Sequence, residues 1–480
     1  MEQLSIRQIA AWTNGTYDGP DMRVSGVAID SRKAGRGDLF LPLRGALQDG
    51  HEYLGEAFAS GATAALVDRA DAARAHRGLG NAIVVVQDVR RALADLATQY
   101  RRSLDLKVIG VTGSNGKTTT KEMLRVILGA SAAVSPRSYN NDIGVPLTLL
   151  TANRHHRYCV VELGTNAPGE IGALTRIAQP DVGIVLNVAE SHLQGLGDLD
   201  GVAEEKRALV RALDETGCAV LNWDDPRVRA MMTGTACYTL TFGSWKEADV
   251  FATDIRTRGR GLSFRALGRR RISMETYGVH NVHNALAAAT AAMWCGVHSC
   301  EAFERLEQFR PVEMRMAVED IGRVRLINDA YNANPRSVEA AILEMSVRGG
   351  GRRVAVLGDM LELGAQSAEL HARVGRAVAA SRVDALWAIG PLSEETARSA
   401  RAAGLREVHW SEDVPSALSE MPITAKSGDV VLFKASRGVR VERVYDAVKT
   451  AVEERRTRRA SSASRTLDVN RLSTPDVVES

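Results

Sequence analysis

The run Val108-Ile109-Gly110-Val111-Thr112-Gly113-Ser114-Asn115-Gly116-Lys117-Thr118-Thr119-Thr120 reads as a strand, a glycine turn and a helix continuing to Gly129. Its residue types suit a phosphate chain. Gly113 and Gly116 let backbone N–H groups close around phosphate oxygens, Lys117 supplies a cation, and the Thr118 hydroxyl at the helix N-terminus can ligate Mg²⁺. Val111 stands where the full G-x-x-x-x-G-K-[ST] pattern has its first glycine, so the assignment depends on the strand-turn-helix context. An ordinary glycine turn with an exposed lysine is the competing interpretation. The next strand, Tyr158-Cys159-Val160-Val161-Glu162-Leu163-Gly164, carries an acid directly after its apolar run, and Asp181 to Val188 leads into Glu190-Ser191-His192. Ligands of open parallel sheets lie beyond the carboxyl ends of strands, which predicts that Lys117, Thr118, Glu162 and His192 converge there on a phosphate and Mg²⁺. Taken alone, His192 is equally well a satisfied surface histidine.

Lys206 stands out on physical grounds. In the helix opened by Asp198 or Asp200, Val202, Leu209, Val210 and Leu213 form one apolar stripe, and Lys206 falls in its middle. Snorkelling, a shifted pKa and covalent modification are the options, because burying an unpaired ammonium is costly. Gly278 to Ala285 opens an Ala-rich helix with Asn281 and Asn284 three residues apart, able to face one ligand. Asp329-Ala330-Tyr331-Asn332-Ala333-Asn334-Pro335 directly follows a strand. Capping and turn chemistry alone would also account for these amides.

The elements that must hold these groups fall into three textures. The 480 residues fit about three domains at roughly 100 to 200 residues each. Hydrophobic residues at 45 % and charged residues at 25 % match a folded globular chain and exclude a disordered, collagenous or coiled-coil one. Residues 1 to 105 mix short apolar runs with turns, as a small α/β domain. From 106 to 312, apolar runs at 107–111, 158–161 and 182–188 alternate with helical segments, predicting a parallel sheet with crossover helices. From 313 to 452 a second such series has runs at 324–327, 354–357, 385–389 and 430–433. Residues 453 to 480 hold Arg455, Arg456, Arg458, Arg459 and Arg465 among Ser and Thr, predicting a disordered tail. The 61 Lys+Arg balance 58 Asp+Glu, leaving a net charge of +3, so neither nucleic acid nor membrane is an expected partner. No run approaches the ~20 apolar residues of a spanning helix, and the start lacks a signal-peptide pattern, so a cytoplasmic protein is expected. The five cysteines lie outside any CxxC spacing and are expected to be reduced, buried small hydrophobes.

With these motifs together, the sequence resembles the Mur ligase family, ATP-dependent amide-forming enzymes of peptidoglycan synthesis, over about residues 20 to 450. Tyr139-Asn140-Asn141-Asp142-Ile143-Gly144-Val145-Pro146, Asp329 to Ser337, and Leu357-Gly358-Asp359-Met360-Leu361-Glu362-Leu363-Gly364 are similar to motifs of the branch that adds D-alanyl-D-alanine to UDP-N-acetylmuramoyl-tripeptide. The resemblance implies a small N-terminal α/β domain, a central P-loop ATPase-like sheet and a C-terminal Rossmann-like α/β domain. It implies that Gly113, Ser114, Asn115, Gly116, Lys117, Thr118, Thr119, Asn281, Asn284, Arg315 and Asp329 bind ATP. It further implies one Mg²⁺ on Thr118 and Glu162, and a second on Glu162, His192 and a Lys206 carbamylated by CO₂. Ser31, Arg32, Gly45, Asp49 and His51 would contact the UDP-sugar, and Tyr331, Asn332, Asn334 and Ser337 would contact substrate or nucleotide in a monomer. Met314 and Ala435 stand where the family often has glycine. A folylpolyglutamate synthase-like sister ligase and a nucleotide-binding regulator without turnover are the alternatives.

Overall fold

A computed structural model describes residues 1 to 480 except 46, 76–79, 137, 259–260, 348–350, 421–424 and 472–480. It contains three larger sheets, one for each expected domain, gathered into two compact units. The first unit holds Met1–Ile255, Ser263–Met274 and Asn281–Phe309; the second holds Arg256–Leu262, Glu275–His280 and Arg310–Ser480.

In the first unit the N-terminal sheet has five strands, ordered Thr16–Asp18, Ala82–Val85, Ala64–Val67, Asp38–Phe40, Gly26–Ala28. Only its first pair is antiparallel. This sheet has its own core around Phe40, Leu54, Ala65, Val67 and Ile83. Helix Val89–Arg102 joins it to the central sheet. Asp88 caps that helix by accepting from the Arg91 N–H, and its fully buried Tyr100 donates through its hydroxyl to the Ala152 carbonyl at 2.7 Å. That bond ties the helix to the chain leading into the Tyr158–Glu162 strand of the central sheet.

The central sheet has nine strands, against the three apolar runs singled out in the sequence. Lys107–Thr112 lies between Val182–Val185 and Tyr158–Glu162, all parallel. From Lys107–Thr112 the chain first fills one side of the strand and then the other, so its carboxyl end is a topological switch point, where α/β sheets bind ligands. The run expected to 188 ends as a strand at Val185, freeing the following residues for a loop.

The second unit is built on a six-stranded sheet, ordered Ala317–Ile321, Val324–Asn328, Val430–Lys434, Arg353–Gly358, Ala385–Ile389, Glu407–Ser411. All but its first pair are parallel. Leu326, Val356, Ile389, Val431 and Phe433 form its core with Val444, Tyr445, Val448 and Val452 of the C-terminal helix.

That helix corrects the expected tail. It runs Glu442–Arg471, so 453 to 471 continue a helix already nucleated on the core, with Arg455 donating to the Ala425 carbonyl at 3.1 Å. Elongating an existing helix avoids the nucleation penalty that an isolated segment of this composition would face. Residues 472–480 lie outside the described residues. All five cysteines are free, and four are buried; Cys300, at the start of an amphipathic helix, is exposed, contrary to expectation.

Candidate active site

The glycine loop has the conformation its sequence requires. Gly113 and Gly116 take φ of 153° and 90°, and helix Lys117–Leu128 starts directly behind them. A Cβ on Gly113 would stand 2.8 Å from the Leu186 Cβ, and one on Gly116 would overlap the Asn284 side-chain amide. The first contact leaves no room between neighbouring strand ends. The second brings the start of helix His280–Trp294 against the loop, where Asn284 donates through Nδ2 to Asn281 Oδ1 at 2.8 Å and both amides are buried.

The loop is held from its other flank by residues 187–191. Asn115 N–H donates to Asn187 Oδ1 at 2.9 Å and Asn187 Nδ2 donates back to the Asn115 carbonyl at 3.0 Å. Ser114 Oγ donates to the Ala189 carbonyl at 3.0 Å, and Ser191 Oγ donates to Ser114 Oγ at 3.0 Å. His192 follows immediately, half-buried, with φ of 55° at the N-terminus of the short helix Leu193–Leu196. Asn187 and Ser191 act on the loop from more than seventy residues away in sequence.

Beside this loop Thr118 Oγ1 donates to Glu162 Oε2 at 2.8 Å, and Asn140 Nδ2 donates to Glu162 Oε1 at 3.0 Å. Glu162 is buried. Ser138 Oγ lies 3.3 Å from the Thr118 hydroxyl. A hydroxyl and a carboxylate fixed at the mouth of a phosphate loop are hard oxygen donors of the kind Mg²⁺ takes, with phosphate oxygens and water completing its shell. Among the described residues no three His, Cys, Asp or Glu side chains cluster as a metal site, so the protein supplies only part of any shell. Lys117 Nζ donates to the Gly113 carbonyl at 2.7 Å, folded back over the loop. Thr119 is buried in the first turn.

Lys206 is buried in helix Leu199–Arg211, which Asp198 caps by accepting from the Asp200 and Gly201 N–H groups. Snorkelling is therefore excluded. Burial, reinforced by the Lys117 ammonium, pushes its pKa down to about 7, against a smaller opposing pull from Glu205. Its neighbour Glu205 accepts from the Gly169 and Ile171 N–H groups at 2.7 Å each, tying the Lys206 helix to the chain that follows the Glu162 strand.

The candidates of the N-terminal sheet have partners of their own. Ser31 Oγ donates to Glu56 Oε2 at 2.8 Å, and Arg32 pairs with Asp30. Asp49 caps the turn Gly50–Tyr53 and lies 2.6 Å from His51 Nδ1, while the Asp68 N–H donates to His51 Nε2 at 3.3 Å. The buried His51 ring thus locks a loop instead of presenting a free nitrogen, while Gly45 and Arg32 are exposed.

In the second unit Asp329 accepts from Lys434 Nζ at 2.6 Å and from the Met316 N–H at 3.0 Å. The Arg315 guanidinium lies over the Tyr331 ring at 4.0 Å, a cation–π contact. Asn334 and Ser337 cap helix Pro335–Val347 reciprocally, each accepting the other's N–H, at 3.0 and 2.9 Å. The exposed Asn332 accepts from the Ala333 N–H at 2.9 Å through Oδ1. Met314 takes the left-handed φ of 56° that glycine adopts without strain, and Ala435 is buried in the core. Asn140, inside a phrase singled out in the sequence, and Lys434, directly after the apolar run 430–433, were not expected as acting residues.

A switch-point phosphate loop with an adjoining threonine and glutamate defines a P-loop nucleotide-binding α/β protein. Family models match most of the chain in three consecutive stretches: the Mur ligase family catalytic domain over 23–101, the Mur ligase middle domain over 111–292, and the Mur ligase glutamate ligase domain over 314–437. The chain belongs to the Mur ligase family. It is 36 % identical over 465 residues to the UDP-N-acetylmuramoyl-tripeptide–D-alanyl-D-alanine ligase of Bacillus subtilis, spanning 94 % of this chain and 99 % of that one. To the ligase of the same name from Escherichia coli it is 32 % identical over 457 residues, spanning 94 % and 99 %. Among solved structures, MurF from Acinetobacter baumannii superposes with a TM-score of 0.83 at 31 % identity, covering 93 % of this chain and 99 % of that one. MurF from Thermotoga maritima in complex with ADP gives 0.78 at 28 % identity, covering 90 % and 99 %.

Proposed function

We propose that this chain is an ATP-dependent ligase that joins D-alanyl-D-alanine to UDP-N-acetylmuramoyl-tripeptide through an acyl phosphate, supplying peptidoglycan precursor in the cytoplasm. The observation that carries this is the Thr118–Glu162–Asn140 constellation beside the glycine loop, in a chain that resembles ligases of that name over nearly its full length. A free carboxylate resists amine attack, so amide formation needs activation. Transfer of the γ-phosphoryl group of ATP to the tripeptide carboxylate gives an acyl phosphate and ADP. The dipeptide amine then attacks the carbonyl carbon, loses a proton, and the tetrahedral intermediate expels phosphate.

In this scheme the loop N–H groups and Lys117 bind the phosphates, and Asn281 and Asn284, the latter packed against Gly116, would hold the nucleotide's adenine, as the family resemblance implies. Thr118 and Glu162 would hold Mg²⁺, which when bound neutralises charge crowded at the γ-phosphate. Lys206 fits the carbamate that the family resemblance implies. An amine with a pKa about 7 is about half unprotonated at neutral pH; the neutral form can attack CO₂ and release a proton, leaving a metal-binding anion where a buried cation stood. Glu162, His192 and carbamylated Lys206 would then share a second Mg²⁺. Arg315 and Asp329 would reach the nucleotide on domain closure, excluding the water that would hydrolyse an acyl phosphate. Ser31, Arg32, Gly45 and Asp49 would meet the UDP-sugar.

Phosphate release from ATP tests the function. It should appear only with both UDP-N-acetylmuramoyl-tripeptide and D-alanyl-D-alanine present. Equal release with D-alanine, glutamate or no amine would refute it.

A further inference from the structure

The phrase Leu357 to Gly364 has no role in the scheme above, yet its Asp359 sits at the point of the second unit where a ligand is expected. Strand Val430–Lys434 enters the sheet between Val324–Asn328 and Arg353–Gly358 although it comes last in the chain, making their carboxyl ends a second switch point. The three loops leaving those strands are knitted together there. Ser436 N–H donates to the Asp359 carbonyl at 2.9 Å, Leu361 N–H donates to Ser436 Oγ at 2.9 Å, and Ser436 Oγ donates to the Ala333 carbonyl at 3.4 Å.

Two carboxylates stand at this crevice, and they differ in one respect. Asp329 is neutralised by Lys434 at 2.6 Å. Asp359 is only 4 % exposed and makes no ion pair among the described residues. Its Oδ1 accepts from the Ser393 N–H and the Ser393 hydroxyl, both at 2.7 Å, and its carboxylate lies flat against Gly390, where φ is 114° and a Cβ would overlap it. The group is therefore pinned through one oxygen, while Oδ2 has no bond among the described residues. The nearby His371 cannot serve as counter-charge. Its Nδ1–H donates to the Ser367 carbonyl at 2.8 Å and its Nε2 accepts from the Met360 N–H at 3.1 Å, which uses both nitrogens of the neutral ring, and burial lowers its pKa further.

A nearly buried carboxylate without a cation is costly unless a ligand brings one. We propose that Asp359 receives the ammonium group of the incoming D-alanyl-D-alanine and so selects and places the nucleophile. This rests on the ligase function proposed above. Such a site takes a primary ammonium within hydrogen-bond reach of Oδ2, with the exposed Leu361 on the same loop offering an apolar side to the alanyl methyl.

The test pairs a change in the protein with a change in the ligand. In the parent enzyme, D-lactyl-D-alanine, whose hydroxyl replaces the ammonium, should inhibit with a Ki about tenfold or more above the KM for D-alanyl-D-alanine, the range of a charge-assisted hydrogen bond. Asp359→Asn should raise the dipeptide KM by a similar factor, leave the Ki of the hydroxy analogue, the KM for ATP and the KM for the tripeptide nucleotide near parent values, and so bring the two ligands together. Equal binding of the two ligands by the parent would overturn the proposal even if the variant failed to fold. Parallel weakening of both ligands in Asp359→Asn would also overturn it, since a purely structural role moves both alike. A parent enzyme that turns over ATP with no dipeptide dependence would instead overturn the ligase function itself.

Discussion

Lys206→Met separates the two things a lysine can do in an apolar stripe. Methionine keeps an unbranched stem of similar volume between Val202 and Leu209, both fully buried on the same helix, and removes only the amine. The drop in the Lys206 pKa from 10.5 to about 7 corresponds to about 5 kcal/mol acting against the charged form. That figure is a ceiling for the stability gained by the variant, since the folded protein can relax around the charge. The sign follows from proton binding: between pH 7 and 10.5 the unfolded chain holds a proton that folded Lys206 has released. The penalty is thus complete below about pH 7 and fades as pH rises toward 10.5.

In CO₂-depleted buffer near pH 7, Lys206→Met should therefore melt a few degrees higher than the parent, at roughly 2 °C per kcal/mol for a unit of this size. The difference should shrink toward pH 10. Turnover should move the other way. If the carbamate is a metal ligand, phosphate release should fall by about 10² to 10³, the range for losing one group that stabilises transition-state charge. Formate supplied to Lys206→Ala, which leaves space, should restore part of it, whereas methylamine should not. Turnover of Lys206→Met within roughly threefold of the parent, less than 1 kcal/mol on the barrier, would refute the metal role. Rescue by methylamine alone would show that the amine acts as a cation.

Asn140→Ala leaves Glu162 Oε1 without its donor. It should lower kcat/KM for ATP by about 10- to 100-fold, as for other partners that orient metal ligands, and an unchanged Mg²⁺ dependence would count against the assignment. Gly116→Ala forces a side chain to φ 90° and into the Asn284 amide, a strain of about 1–3 kcal/mol. It should raise the KM for ATP while sparing the KM for the tripeptide nucleotide. A parent-like KM for ATP would mean that the loop admits a Cβ.

What could be read from the sequence was local. The glycine loop was legible because strand, turn and helix lie within about twenty residues and each follows from residue type. The Lys206 anomaly was legible because helical periodicity placed it among Val202, Leu209 and Val210 without knowledge of any partner. The groups that hold the loop were not. Asn187 and Ser191 act on it across more than seventy positions and Asn140 acts on Glu162 across twenty-two, and no pattern of residue types encodes which strands become neighbours. The partners of His51 were hidden for a related reason, since Asp49 is two residues away but only the fold brings Asp68 to its other nitrogen.

The C-terminal segment shows why composition is a weak guide at an element's end. Residues 453 to 458 are polar and exposed, and as an isolated peptide such a stretch would stay irregular. The preceding turns place Val444, Tyr445, Val448 and Val452 against the sheet of the second unit, so the nucleation step is already complete when the chain reaches Glu453. Each further residue then needs only a favourable elongation step, and arginine, alanine and glutamate are good helix formers. Whether a segment is ordered is thus decided by what precedes it. The same holds at Asp359, whose sequence neighbours are apolar. Its character comes from Ser393 and Gly390, thirty residues later, and from Lys434, which neutralises Asp329 and leaves Asp359 without a charged partner.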